Sequence, residues 1–369
     1  MSKQKNAQET SAVRSTIDVS KLEPYLQVNL PEFEAPLEIR QFKFGQSNPT
    51  YLLIDANKKR YVLRKKPSGV LLSTRAHSIE REYRVLNALS RNTDIPVPKV
   101  YLLCENNEIL DTPFYVMEFL KGRIFDDLRL LSLPPEERRQ CWYSAIETLA
   151  RLHLVNYKDI GLDTFGKSSG FYARQIRSLL KTSAAQAAVK DKDGNQVGPL
   201  PRIDDRIRWF KKNEVPDEAT IVHGDFKLDN LVFHQTEPRV VGILDWELST
   251  IGHPLSDLAN LLINFYAKDL NGPFIGLRDV TDLPIPPANE LMQLYCRKVG
   301  RPYPIPNFEF AIVFAFFKLA VIIQGIAARE ALNQASSAEA KLYASFLKPV
   351  SYFGFEIIDR GDLSDKSKL

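Results

Sequence analysis

The residues best suited to chemistry lie in one run, His223-Gly224-Asp225-Phe226-Lys227-Leu228-Asp229-Asn230, followed downstream by Asp245-Trp246-Glu247. An amide oxygen and a carboxylate brought together form a hard, all-oxygen site that suits Mg²⁺, an ion that keeps several waters and is completed by phosphates. A second carboxylate nearby can accept the proton of a hydroxyl group. The surrounding sequence supplies the elements to position them. Ile221-Val222 reads as a short buried strand that delivers His223 into a loop. Leu231-Val232-Phe233 reads as a second strand, His234 to Pro238 as a turn, and Arg239 to Leu244 as a third strand rich in β-branched residues. Antiparallel pairing across that turn sets Asn230 beside Asp245 at one end of the hairpin, with Asp225 just ahead of them in the loop. An ordinary hairpin with polar ends is the plainer reading, but it requires these separately spaced residue types to coincide by chance.

The spacing resembles the protein-kinase catalytic loop, H-x-D-x-x-x-x-N, followed after a strand by a metal-binding Asp. With Gly after the His and Trp-Glu after the second Asp, it is similar to the aminoglycoside phosphotransferase and choline kinase family, which phosphorylates small molecules. That resemblance implies an α+β, protein-kinase-like two-lobed fold, with an N-terminal antiparallel sheet lobe carrying one helix and a larger, mainly helical C-terminal lobe. It also implies ATP and Mg²⁺, with Asp225 as catalytic base, Lys227 steadying the transferred phosphate, and Asn230 and Asp245 holding the metal.

Upstream, Leu37 to Phe44, a loop over Gly45-Gln46-Ser47-Asn48-Pro49-Thr50, a strand at Tyr51 to Asp55, a turn at Asn57-Lys58 and a strand at Tyr61 to Arg64 follow the order of a nucleotide-covering hairpin. Gly45 and Asn48 resemble the family's Gly-x-x-Asn element, and the backbone N–H groups with the Ser47 hydroxyl can approach nucleotide phosphates. Arg64 stands where a kinase places its phosphate-pairing lysine, with Lys65 and Lys66 as alternatives. From Ser78 to Leu89 the spacing predicts a helix with an apolar stripe of Ile79, Tyr83 and Leu86. Glu82 falls on that stripe and Glu80 does not. A carboxylate on a buried face needs a partner, and Arg64 is the natural one. Val97 to Cys104 and Pro113 to Phe119 read as strands. Met117-Glu118-Phe119 is then the hinge where the chain meets adenine, which adds Glu118 and Phe119 to the nucleotide-binding residues.

The remainder sets bounds. At 369 residues and a formal charge of +4, the chain is long enough for two lobes and carries no nucleic-acid motif. Cys104, Cys141 and Cys296 lack metal-ligand spacing and read as reduced thiols. The expected organisation is a flexible tail over 1–20, an N-terminal nucleotide-binding lobe over 21–119, a catalytic and substrate-binding lobe over 120–358, and an exposed tail over 359–369. Within the second lobe, Pro134-Pro135-Glu136 opens a long helix and Lys181 to Pro201 reads as an inserted loop. Asp257 heads a helix and can cap it or brace the catalytic loop through backbone N–H bonds. Phe308 to Ala328 reads as a buried helix rather than a membrane span, because Glu309, Lys318 and Gln324 interrupt it. The final Ser367-Lys368-Leu369 matches the tripeptide read by the peroxisomal import receptor, which predicts a peroxisomal location for a eukaryotic source and a cytoplasmic one otherwise.

The strings Tyr61-Val62-Leu63-Arg64-Lys65-Lys66-Pro67, Arg81-Glu82-Tyr83-Arg84-Val85-Leu86 and Thr112-Pro113-Phe114-Tyr115-Val116-Met117-Glu118 resemble the kinase domain fused to certain animal acyl-CoA dehydrogenases. This likeness implies ATP-dependent phosphorylation of a 4-hydroxyacyl-CoA in hydroxy fatty acid breakdown. The alternatives are a kinase for amino alcohols or aminoglycosides, and a catalytically silent pseudokinase that acts by binding.

Overall fold

The computed structural model describes residues 10–11, 17–42, 48–67, 78–272, 274–333 and 340–360. Gly45, Ser47 and Ser367-Lys368-Leu369 lie outside the described residues. The chain forms two compact units, Met1–Gly166 with His223–Thr250, and Lys167–Val222 with Ile251–Leu369.

The first unit is built on a six-stranded sheet of β1 (Thr10–Ser11), β2 (Glu38–Phe42), β3 (Thr50–Ile54), β4 (Arg60–Lys65), β5 (Val100–Cys104) and β6 (Phe114–Glu118), in the order β1-β2-β3-β4-β6-β5. Every pairing is antiparallel. Its helices are α1 (Val19–Asn29), α2 (Ile79–Asn92), the single-turn α3 (Asn107–Leu110) and α4 (Pro135–Leu154). Side chains alternate across a strand, so parity decides what each face does. Tyr51, Leu53, Tyr61, Leu63, Leu102, Cys104, Phe114 and Val116 form one cluster with Leu22 and Leu26 of α1. The intervening Val62, Arg64, Tyr115 and Met117 line a pocket on the other face, together with Leu86 of α2. Lys65 shares the parity of Tyr61 and Leu63, which takes it away from the pocket and leaves Arg64 as the cation there.

Helix α1 is an addition to the expected one-helix sheet lobe, and it begins inside the stretch read as a flexible tail. Its sequence carries an internal Pro24 and only Leu22 and Leu26 as buried residues, so its apolar stripe is too short to announce a helix. Asp18 supplies the cap, accepting from the Ser20 N–H at 3.1 Å.

A hairpin of β7 (Leu231–Phe233) and β8 (Val240–Ile243) completes the first unit, with Leu231 opposite Ile243 and Val232 opposite Gly242. The chain leaving β6 is fastened to it. The Arg123 N–H donates to the Phe233 carbonyl and the Phe233 N–H to the Arg123 carbonyl, each at 2.8 Å. Gly122 makes this approach possible, because a Cβ there would lie 2.2 Å from the Phe233 carbonyl oxygen and 2.4 Å from Val232 Cγ1.

The second unit is mainly helical: α5 (Phe171–Ala187), α6 (Ile203–Lys212), α7 (Leu255–Leu262), α8 (Ala288–Val299), α9 (Phe308–Ala331), α10 (Ala340–Ser345) and α11 (Leu347–Arg360). α9 packs against α5, α7, α10 and α11. Among the described residues it is the helix long and apolar enough to cross a membrane, and 72% of its apolar window is buried within the fold. Its polar Gln324 is fully buried and satisfied, accepting from the Ser183 hydroxyl at 2.7 Å and donating to the Gly198 carbonyl at 2.8 Å. The segment read as a loop from Lys181 is helical through Ala187, since its alanines favour helix; only the remainder is irregular. Asp257 sits buried in the first turn of α7, and His253 holds the start of that helix, its Nδ1 accepting the Leu255 N–H at 3.2 Å. Burial holds the His253 imidazole at a pKa of about 4, against the opposing pull of Glu218, and so keeps it a neutral acceptor.

Gly122→Ala should destabilise the first unit by about 1–3 kcal/mol, because the added methyl meets backbone rather than a flexible side chain. The measurement is the urea midpoint; an unshifted midpoint would show that the Arg123–Phe233 junction is not closely packed.

Candidate active site

The hairpin register places the key side chains. With Leu231 opposite Ile243, the residues just outside the pair are Asn230 and Leu244, and the Leu244 N–H donates to the Asn230 carbonyl at 2.9 Å. Asp245 is therefore the next side chain at that end. It adopts a left-handed backbone (φ 66, ψ 62), a conformation that costs a non-glycine residue on the order of 1–3 kcal/mol and persists only where the surroundings enforce it. They do so here. The buried Trp246 donates its Nε1–H to the Ile243 carbonyl at 2.9 Å, and His223 holds Leu244.

His223 is fully buried and joins the segment of Asp225 to that of Asp245. The Asp225 N–H donates to its Nδ1 at 3.2 Å, so the ring proton sits on Nε2, which donates to the Leu244 carbonyl at 2.8 Å. Gly224 follows with φ +87, and a Cβ there would lie 2.6 Å from the Leu248 carbonyl oxygen. The turn thus requires glycine both for its backbone angle and for the close approach.

Asn230 donates from Nδ2 to the Asp225 carbonyl at 2.8 Å and to Asp225 Oδ2 at 3.1 Å. The amide nitrogen is committed to Asp225, which directs Oδ1 elsewhere as a ligand atom. Together with the partly exposed Asp245 carboxylate it makes a pair of hard oxygen donors, the donor chemistry that suits Mg²⁺ completed by phosphates and water. No group of three or more His, Cys, Asp or Glu side chains poised for a metal occurs among the described residues, so a cation here depends on its other ligands. Lys227 reaches back to Asp225 at 3.4 Å and to Asp229 at 3.2 Å. Burial disfavours the Lys227 charge, but these two carboxylates outweigh it and raise its pKa.

Arg64 extends from β4 into the same end of the site. Its Nη2 lies 2.7 Å from Asp245 Oδ1 and 3.1 Å from Glu247 Oε2, and its Nε lies 3.3 Å from Glu82 Oε2. Glu82 is 1% exposed, and it also accepts from Asn48 Nδ2 at 3.0 Å and from the Tyr115 hydroxyl at 2.9 Å. Burial raises the Glu82 pKa, opposed by Arg64, Tyr115 and Asn48. Burial likewise disfavours the Arg64 charge, and Glu82, Tyr115 and Asp245 more than restore it.

Arg64, Asp229, Asn230 and Asp245 line a pocket of about 240 Å³ whose other walls are largely apolar: Val62, Leu86, Met117, Leu120, Val232 and Ile243, with Glu118 and Phe119 at the end of β6. Glu118 is pinned by the Lys99 N–H, which donates to its Oε2 at 3.2 Å, and Arg60 stacks over Phe119 at 4.2 Å. The structure thus brings Asp225, Lys227, Asn230, Asp245, Arg64 and Glu82 together, and sets Glu118 and Phe119 along the pocket. Asn48 is fully buried, with its side chain donating to Glu82. Sequence reasoning did not single out Tyr115 or Glu247 as site residues. For Tyr115 the signal was its register opposite Arg64, and for Glu247 its place two residues after Asp245 in a short helical turn.

Removing the guanidinium leaves a buried carboxylate without its counter-charge, so Arg64→Ala should lower stability by about 3–5 kcal/mol at neutral pH. Because Glu82 titrates above its unfolded value, the folded variant binds more protons than the unfolded chain, and the deficit should shrink as pH falls from 7 towards 5. Urea titrations across that range provide the check; a deficit independent of pH would separate Glu82 from the effect.

With this geometry in hand, comparisons with known proteins place the chain. The model of the phosphotransferase enzyme family matches residues 38–284. Acyl-CoA dehydrogenase family member 11 of Rattus norvegicus is 41% identical over 351 residues, covering 93% of this chain and 43% of that protein. Acyl-CoA dehydrogenase family member 10 of Mus musculus is 40% identical over 338 residues, covering 90% and 30%. The chain therefore spans less than half the length of these relatives. Among solved structures, a candidate aminoglycoside phosphotransferase from Ralstonia eutropha superposes with a TM-score of 0.80 at 35% identity, covering 94% of this chain and 99% of that one. A thermostable mutant of aminoglycoside phosphotransferase APH(4)-Ia, in ternary complex with ADP and hygromycin B, shares the fold at a TM-score of 0.53 and 13% identity, over 90% and 99% of the two chains. The sheet lobe and the helical region are those of a small-molecule kinase, and the chain belongs to the phosphotransferase enzyme family.

Proposed function

We propose that this protein transfers the γ-phosphate of ATP to a hydroxyl group of a small molecule, and that the acceptor is a hydroxyacyl-CoA. The observation that carries the phosphotransfer reading is that Arg64, Asn230 and Asp245 all line one largely apolar pocket, with Asp225 bonded to Asn230 beside it. The apolar walls beside Met117 to Leu120 suit a nucleobase, and the charged end suits a triphosphate. Asp225 accepts the hydroxyl proton as the acceptor oxygen bonds to the γ-phosphorus and the bond to the bridging oxygen of ADP breaks. Asn230 holds the Asp225 carboxylate in position through its amide. Lys227 and Arg64 offset the charge on the transferring group. Asn230 Oδ1 and Asp245 would hold Mg²⁺, which when bound neutralises the phosphate oxygens and fixes their orientation.

The acceptor assignment rests on similarity to proteins named as acyl-CoA dehydrogenase family members, over a region that is less than half their length. A peroxisomal setting, for a eukaryotic source, rests on Ser367-Lys368-Leu369; for a bacterial source the cytoplasm takes its place.

Incubation of the purified chain with Mg·ATP and 4-hydroxyacyl-CoA, read by mass spectrometry, should yield the phosphorylated thioester and ADP. Choline and an aminoglycoside, run in parallel, should remain unmodified. Asp225→Asn should lower turnover by about 10²–10⁴-fold while keeping the affinity for a non-hydrolysable ATP analogue. Phosphorylation of the amines alone would overturn the acceptor assignment, and equal turnover in Asp225→Asn would overturn the role of Asp225.

A further inference from the structure

One guanidinium faces three carboxylates that arrive on separate segments: Glu82 from α2, Asp245 from the end of β8, and Glu247 from the short helical turn that follows. They are not equivalent. Glu82 is 1% exposed, is held by Tyr115 and Asn48, and addresses Nε. Asp245 and Glu247 address the same nitrogen, Nη2, at 2.7 and 3.1 Å, with Asp245 the more exposed at 37% against 14% for Glu247.

Sharing Nη2 sets up a competition. The Asp245 oxygen nearest Arg64 belongs to the carboxylate assigned to the metal, and a carboxylate oxygen that serves a divalent cation at about 2.0–2.1 Å cannot keep a full charge-assisted bond to an arginine as well. Once Asp245 turns to a cation, Arg64 needs another anion at Nη2, and Glu247 already stands there. The donor type matters too. Arginine presents Nε and Nη2 in a rigid fork, so it can face Glu82 with one as an ion pair at 3.3 Å and bond Glu247 with the other, whereas a lysine carries its donors on a single nitrogen at the end of a flexible stem.

We propose that Glu247 is a positioning residue that takes over Arg64 when Asp245 binds the metal, freeing the Asp245 carboxylate and keeping the guanidinium aimed at the phosphates. The inference rests on the phosphotransfer reading above and adds a residue to it. It also gives arginine at position 64 a purpose, because the fork places Nε beside Glu82 and Nη2 beside Glu247 in one fixed geometry.

The test is binding, not turnover. The affinity of the non-hydrolysable analogue AMP-PNP is measured by calorimetry with and without Mg²⁺, in the wild type, Glu247→Gln, Arg64→Lys and the double variant, with thermal unfolding of each as a control for folding. Glu247→Gln should weaken the Mg²⁺-dependent component about tenfold and leave the metal-free affinity within about twofold. In the Arg64→Lys background the same change should cost no more than about twofold. An equal loss in both backgrounds would overturn the inference, since it would mean that Glu247 serves the metal directly; so would an equal loss with and without Mg²⁺, which would mark a general structural role. In both of those cases nucleotide binding persists and the kinase reading stands. Failure of the wild type to bind AMP-PNP under any condition would overturn both.

Discussion

The structure of the site depends on how a single buried positive charge is shared. Arg64 is nearly enclosed, and its guanidinium is surrounded by Glu82, Asp245 and Glu247. Taking a charge out of water is costly, and the cost is recovered only with good geometry and saturated hydrogen bonding. Around Glu82 the carboxylate oxygens accept from Tyr115 and Asn48, and Arg64 Nε lies 3.3 Å away as the counter-charge without completing a hydrogen bond. The consequence reaches well beyond one ion pair. β4, α2, β6, the chain before β3 and the end of the catalytic hairpin each contribute a group to the same charge network, so none of them can shift without leaving a charge or a hydroxyl unsatisfied.

The second constraint is the hairpin and the histidine behind it. The β7–β8 register makes Asn230 and Leu244 neighbours, and His223 ties Leu244 to the backbone of Asp225. A neutral imidazole that accepts on one side and donates on the other is well suited to this task, since both bonds carry backbone groups that would otherwise go unpaired in the interior. Asp245 can then be held in a left-handed conformation, which turns its carboxylate towards Arg64. Local strain at this residue is balanced by the burial of Trp246 and by the ion pair itself.

Much of this was legible in the chain. The strand at Leu231–Phe233 and the one expected over Arg239 to Leu244, found at Val240–Ile243, were readable from β-branched runs around a polar turn, and the position of Asn230 and Asp245 at the same end of the hairpin followed from pairing alone. Glu82 was readable as buried because it falls on the apolar stripe of α2 while Glu80 does not. What was not legible shares one physical property: it depends on register or orientation between segments far apart in sequence. Tyr115 reaches Glu82 only because it pairs opposite Arg64 across β4 and β6. Asn48 turns its amide inward to the second oxygen of the buried Glu82 carboxylate, 34 residues away. The helix α1 has a short apolar stripe with a proline inside it, and its stability comes from covering the sheet face of Tyr51, Leu53, Tyr61 and Leu63 rather than from its own propensity.

The central claim is that the pocket between the β4–β6 face and the hairpin holds a nucleotide with its phosphates at Arg64, Asn230 and Asp245. A crystal structure with Mg²⁺ and AMP-PNP tests it most directly. The expected result is the base against Met117 to Leu120, the cation on Asn230 Oδ1 and Asp245, and the γ-phosphate facing Asp225. Nucleotide density elsewhere on the chain, or phosphates at this pocket with the cation away from both Asn230 and Asp245, would contradict the account.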